Sequence, residues 1–205
     1  MAPSWFRTVS TDYPPLYPAT LAVTAFATGA STLTASRWID VVTFTMSAGL
    51  VALAAQRIAR GSRAAGVVAA LIFVASASVL DIHAHAWSEG LFLSLTLGSL
   101  LLLARFLEGG RMAIGVAAAC LAGAAPMTRY VGIAVVITVV VAALRWRPEP
   151  RGRRLRRGGV LTGVALAPAL VLLYRRNAIE AERVLAAAAF CVVFAGTFWF
   201  AQRLL

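Results

Sequence analysis

Eight apolar runs separated by short polar connections take up nearly the whole chain: residues 16–35, 38–57, 64–80, 89–106, 112–126, 130–146, 159–174 and 184–202. In hydrocarbon every backbone N–H and C=O must be satisfied within the protein, so runs of this length commit the chain to helices. One crossing uses about 20 apolar residues, and eight of them leave no room for a sizeable soluble domain. Charge content agrees: only 13% of residues are charged, against about 25% in soluble domains. The expected fold is all-α, a polytopic transmembrane bundle of seven to eight hydrophobic helices forming a single membrane domain over residues 1–205. Residues 1–15 read as a polar, Pro-rich, aromatic interfacial segment, without the basic n-region and long h-region of a signal peptide. The run 16–35 is the weakest span, because Thr28, Ser31, Thr32, Thr34 and Ser36 crowd its end; a re-entrant or tilted segment fits it as well as a crossing.

Orientation follows from the basic residues, all of which are Arg. Arg57, Arg60 and Arg63 share one connection, Arg105 and Arg111 flank another, and seven Arg residues fall between Arg145 and Arg157. The positive-inside rule places all three on the cytoplasmic side of a cell membrane, and the stretch 145–158 is expected to be an Arg-rich cytoplasmic loop meeting anionic lipid headgroups. Because these Arg residues flank apolar runs in short clusters, nucleic acid is not an expected partner. The outer connections are then 81–88, 127–129 and 175–183. Gly115, Gly123, Gly132 and Gly163 are expected packing notches between helices. Cys120 and Cys191 lie inside apolar runs and supply no disulfide framework. The sequence specifies no oligomeric state.

Ionisable groups at membrane depth are costly and point to function. The densest set is Asp81-Ile-His83-Ala-His85-Ala-Trp87-Ser88-Glu89. Asp81 and Glu89 have the chemistry of a paired acid and base. His85 and Glu89, at i and i+4, have the spacing to hold a divalent metal on one helical face, although nothing in the sequence requires a metal and no cofactor is identified. The plainer reading is a wet interfacial loop in which Ser88 caps a helix, Glu89 favours its positive end and Trp87 sits at headgroup level. Arg129, between Thr128 and Tyr130 and following Pro126, offers a fork of donors suited to a phosphate, and a helix starting at Tyr130 would add its N-terminal dipole. Snorkelling to the interface is the alternative. Arg175-Arg176-Asn177 poses the same choice. P-loop, dinucleotide, nucleophile-elbow and zinc spacings do not occur.

Five short motifs, each at a helix boundary, occur together in order: Asp12-Tyr-Pro-Pro-Leu-Tyr-Pro18, Ala35-Ser-Arg37-Trp, Ser88-Glu89-Gly-Leu-Phe92, Thr128-Arg129-Tyr130-Val-Gly132 and Arg176-Asn177. The chain thereby resembles polytopic glycosyltransferases of the C-type superfamily, and within it the bacterial branch similar to protein O-mannosyltransferases and lipid A aminoarabinose transferases. The resemblance implies transfer of a sugar from a polyprenyl-phosphate carrier, with membrane lipids around the enzyme, to an acceptor on the extracytoplasmic face. It makes Asp12 a candidate carboxylate near the reacting centre, joining Glu89 as the second candidate catalytic carboxylate, and Arg37, Arg129 and Arg176 candidate phosphate contacts. Tyr130, Asn177, His83 and His85 are further substrate-binding candidates. Similar proteins begin with one more transmembrane helix and an acidic loop regarded as holding the catalytic base, and many carry an Arg where this chain has His83-Ala84-His85. The resemblance therefore implies a fragment or short member, with catalysis a property of the complete enzyme. The mechanism it implies is a single displacement in which a carboxylate deprotonates the acceptor hydroxyl and Arg groups stabilise the departing phosphate. The alternative is a non-enzymatic multi-pass protein, a small transporter or a subunit presenting lipid-linked substrate. Inverted internal repeats, common in transporters, are not evident by eye.

Overall fold

A computed structural model describes residues 14–85, 87–145 and 151–175. The described residues are helical, as expected, and divide by their contacts into two compact units, Met1–Gly98 and Ser99–Leu205. Eight α-helices are present among them: α1 (Leu16–Thr28), α2 (Thr32–Ile58), α3 (Arg63–Ala75), α4 (Ala77–Ala84), α5 (Glu89–Leu107), α6 (Met112–Thr128), α7 (Ile133–Arg145) and α8 (Arg151–Arg175). By length and apolar content α2 and α5 can each cross a membrane, and the bent pair α3–α4 counts as a third span if taken together. Asp12, Arg176 and Asn177, together with the run 184–202, lie outside the described residues.

In the first unit the run 16–35 is not one segment. The helix from Leu16 stops at Thr28 because Gly29 adopts a left-handed conformation, φ 65°, which costs glycine nothing. Ser31 then caps α2 by accepting the Thr34 N–H at 3.3 Å, so the Thr-rich tail opens α2. Thirteen residues of α1 rise about 20 Å, short of the hydrocarbon thickness of about 30 Å. At 27 residues, α2 exceeds that thickness; it ends beside Arg57, where Arg60 and Gly61 both take positive φ. Ser62 caps α3, whose Gly66 lies against Gln56 and the Ala52 carbonyl of α2. At Ser76 the helix breaks, and α3 and α4 meet at a 61° bend.

Polarity is inverted relative to a soluble bundle. On α2 the buried side holds Ser36, Asp40, Thr43 and Ser47 beside Ala35 and Ile39, while Trp38, Val41, Val42 and Met46 are exposed. On α3 the large apolar residues Val67, Val68, Leu71 and Ile72 likewise face outward. Such a surface is stable only against hydrocarbon, where apolar attraction between helices is lost and polar groups and small residues hold them together.

The second unit packs on small residues. Ala118, Ala119, Ala122 and Ala125 form the buried side of α6, and Ser99 of α5 donates to the Ala118 carbonyl at 2.9 Å. A Cβ on Gly115 would lie 2.9 Å from the Phe106 ring, and one on Gly123 would lie 2.7 Å from the Ala165 carbonyl oxygen of α8. These two glycines are the expected notches, as is Gly132. At Gly163 a Cβ meets nothing within 4 Å among the described residues. On α7, Val135, Val136, Val139, Ala142 and Ala143 turn inward. The Arg-rich stretch is helical from Arg151, where it forms the first turns of α8.

Candidate functional site

In the first unit a polar cluster lies where α2, α4 and α5 meet. Asp40, about two turns into α2, is 7% exposed, and His83 near the end of α4 is 9% exposed. The His83 Nδ1 lies 2.8 Å from the Val79 carbonyl, a partner that only accepts, so Nδ1 carries a hydrogen. The other ring nitrogen, Nε2, is buried with no hydrogen-bond partner among the described residues, as is the Tyr17 hydroxyl at the start of α1. Asp40 is near enough for its charge to act on both Tyr17 and His83. Phe44 meets the His83 ring edge-on at 5.1 Å and Phe73 does so at 6.5 Å. Below this cluster Ser94 of α5 stands 2.8 Å from Ser47 and donates toward the carbonyls of Thr43 and Gly90, each at 3.0 Å.

Gly90 makes this convergence sterically feasible. A Cβ there would lie 2.9 Å from Thr43 Oγ1 and 3.0 Å from His83 Nε2. Glu89, half-buried, precedes it at the head of α5, where a carboxylate favours the positive end of the helix. The Ser88 carbonyl accepts the Phe92 N–H at 2.9 Å and so begins the helical ladder.

The expected loop 81–88 is in fact partly helical, because α4 continues to Ala84. This corrects the metal arrangement drawn from spacing. His85 terminates α4 in an extended conformation, so His85 and Glu89 do not occupy one helical face. His85 instead stacks on Trp87 at 4.9 Å and holds its Nδ1 2.9 Å from the Asp81 carbonyl and 3.6 Å from the Asp81 carboxylate. Asp81 is exposed and turned to His85. Among the described residues no group of three His, Cys, Asp or Glu side chains gathers to hold a metal ion. Arg37 is exposed on α2.

In the second unit Arg129 occupies a sharp exit from α6. Its φ of −150° and ψ of 134° are extended, and its N–H bonds to the Ala125 carbonyl at 3.1 Å while its own carbonyl accepts from Gly132 at 2.8 Å. Thr128, fully buried, adds a hydroxyl bond to the same Ala125 oxygen at 2.7 Å. A short 3₁₀ turn, Tyr130–Gly132, follows, and α7 starts at Ile133 rather than at Tyr130 as the sequence suggested. Gly132 is obligatory in this turn: its α-carbon abuts the backbone of Ala125 and Pro126, leaving no space for a Cβ. Arg129 is thereby held half-buried at a fixed point beside exposed Tyr130.

The structure thus brings His83, of the expected residues, into contact with Gly90 and next to Asp40, whereas His85 and Arg37 face outward. Asp40 escaped sequence reading because it lies within an apolar run. Its signal was available: Ser36, Asp40, Thr43 and Ser47 recur at intervals of four, three and four residues, one helical face. A family model described as dolichyl-phosphate-mannose-protein mannosyltransferase matches residues 12–175. Among curated proteins and among solved structures no match is found.

Proposed function

The chain belongs to the dolichyl-phosphate-mannose-protein mannosyltransferase family, and on that premise we propose that it forms the membrane core of an enzyme moving a sugar from a polyprenyl-phosphate carrier to an extracytoplasmic acceptor. A membrane glycosyltransferase of this kind has two chemical needs, a base for the acceptor hydroxyl and fixed positive charge for the departing phosphate. Asp12 and Glu89 are the carboxylates assigned to the first need. Arg37, Arg129 and Arg176 are assigned to the second, with Tyr130, Asn177, His83 and His85 lining the substrate.

The observation that carries this reading is the setting of Arg129. Pro126, the Thr128 hydroxyl bond and the Gly132 contact fix its backbone at the end of an apolar helix, which is where a lipid-linked phosphate would meet the protein. A guanidinium held there presents two parallel donors to phosphate oxygens. The test is a titration of detergent-solubilised protein with a short-chain prenyl phosphate. Arg129→Lys keeps the charge but loses the fork, and affinity is expected to fall roughly ten- to a hundredfold, the equivalent of about 1.5–3 kcal/mol for one charge-assisted bond. Equal affinities for wild type, Arg129→Lys and Arg129→Ala would return Arg129 to the role of an interface anchor.

A further inference from the structure

Two helices of the second unit change from apolar to cationic on their outer surfaces at the same level. On α8 Val160 is exposed, and so is Arg156 one turn before it, which places the two on one face about 5–6 Å apart along the axis. On α7 exposed Leu144 is followed by exposed Arg145, the last residue of the helix. The two levels coincide, because Gly158 of α8 abuts the Leu144 side chain. Where Val160 and Leu144 meet acyl chains, Arg156 and Arg145 therefore stand at headgroup depth.

Charge at this end of the unit is unbalanced. The chain turns back between α6 and α7 at Gly132, packed on Ala125 and Pro126, so exposed Arg111 at the head of α6 lies at the same end as Arg145, and Arg129 at the opposite one. Arg residues occupy positions 151, 153, 154, 156 and 157 in the first two turns of α8. Against them residues 99–175 carry only two acidic groups, Glu108 and Glu149. Arg153 precedes Arg156 by three positions and Arg157 by four, and Arg154 stands three from both Arg151 and Arg157; like charges at these spacings disfavour a helix. The helix dipole adds positive potential at the same turns. Both penalties fall away when anions lie beside the helix. One soluble anion would meet one point of this surface, whereas the Arg positions extend over about 9 Å of α8 and onto α7, a spread that matches a layer of headgroups.

We propose that the first two turns of α8, with Arg145 of α7, dock on the anionic headgroups of the bilayer that holds the protein, and that contact with those headgroups is what makes residues 151–157 helical. The chain thereby senses the surface charge of its membrane. The proposal is independent of the transferase reading, since Arg129 lies at the other end of the unit.

The experiment places the full chain in nanodiscs of phosphatidylcholine alone and of phosphatidylcholine mixed with phosphatidylglycerol, and follows hydrogen exchange at the backbone amides of residues 151–157. Protection is expected to rise roughly tenfold or more in the anionic discs, given attraction of about fivefold for each Arg at the surface. Inorganic phosphate added to phosphatidylcholine discs is expected to give no such rise. A variant carrying Arg153→Gln, Arg154→Gln and Arg156→Gln, changes that keep helix propensity nearly constant, is expected to be equally protected in both discs. Arg145→Gln, a single change on the neighbouring helix, is expected to reduce the rise about fivefold, and it keeps the test open if the triple variant does not fold. Equal protection of the wild type in the two discs overturns the proposal. So does an equal rise with inorganic phosphate, which makes the surface an ion site, and so does a triple variant or an Arg145→Gln protein with the full lipid dependence of the wild type.

Discussion

The hydroxyl oxygens of Ser47 and Ser94 stand 2.8 Å apart in the buried interior of the first unit, yet the two residues are not equivalent. Ser94 also reaches the carbonyls of Thr43 and Gly90, while the Ser47 hydroxyl meets that of Ser94. Ser94 is therefore the hub that ties α2 to α5, and Ser47 a spoke.

That asymmetry predicts unequal costs. Ser94→Ala strands the Ser47 hydroxyl in a buried site and is expected to cost about 1–2 kcal/mol. Ser47→Ala leaves Ser94 with carbonyl acceptors and is expected to cost less than about 1 kcal/mol. Reversible unfolding in mixed micelles measures both, and equal losses would remove the hub role.

At Gly132 the expected outcome is steric. Ala at this position collides with the backbone of Ala125 and Pro126, so the turn after α6 must open, at a cost of about 1–3 kcal/mol, and Arg129 must move. Gly132→Ala is expected to lower the melting temperature and weaken prenyl phosphate binding together. Gly163→Ala serves as the control. It sits mid-helix with nothing within 4 Å of its Cβ position among the described residues, and is expected to be neutral or stabilising by up to about 1 kcal/mol.

Glu89→Gln keeps the size of the side chain and removes its ability to take a proton. In proteoliposomes supplied with donor and acceptor it is expected to slow sugar transfer by about a hundredfold or more while donor binding is retained. A rate within a fewfold of wild type would move the base function to Asp12.

The orientation of the chain is checked by labelling single cysteines, on a background lacking Cys120 and Cys191, with a membrane-impermeant reagent in intact cells. Ala84→Cys, at the exposed end of α4, is expected to label and Glu149→Cys is not. The reverse pattern inverts every assignment of inner and outer faces.

The class of fold was legible in the apolar runs, since hydrocarbon leaves a chain of this composition few choices. Boundaries were less so. The division of 16–35 depends on one left-handed glycine, Gly29, and the break at Ser76 on a single extended ψ; neither alters the apolar pattern from which the runs were read. The candidate site was half visible. His83 and Glu89 stood out because they punctuate a connection, whereas Asp40 was hidden among apolar neighbours, Ile39 buried and Val41 and Val42 exposed, whose hydropathy does not tell the two sides of α2 apart. Contacts such as Gly132 on Ala125, or His83 on Gly90, depend on how helices approach in space, which no local pattern encodes.

The 61° bend at Ser76 also bears on the membrane itself. A helix that breaks partway through a bilayer releases backbone carbonyls that hydrocarbon cannot satisfy, so such breaks persist only where protein encloses them or a cavity open to solvent reaches them. Along the lipid-facing side of α3 large apolar residues cover the backbone, whereas Asp81 on α4 and His85 at its C-terminal cap hold exposed positions farther along. The bend therefore commits the Ser76 end of α4 to a protein or aqueous neighbour rather than to acyl chains.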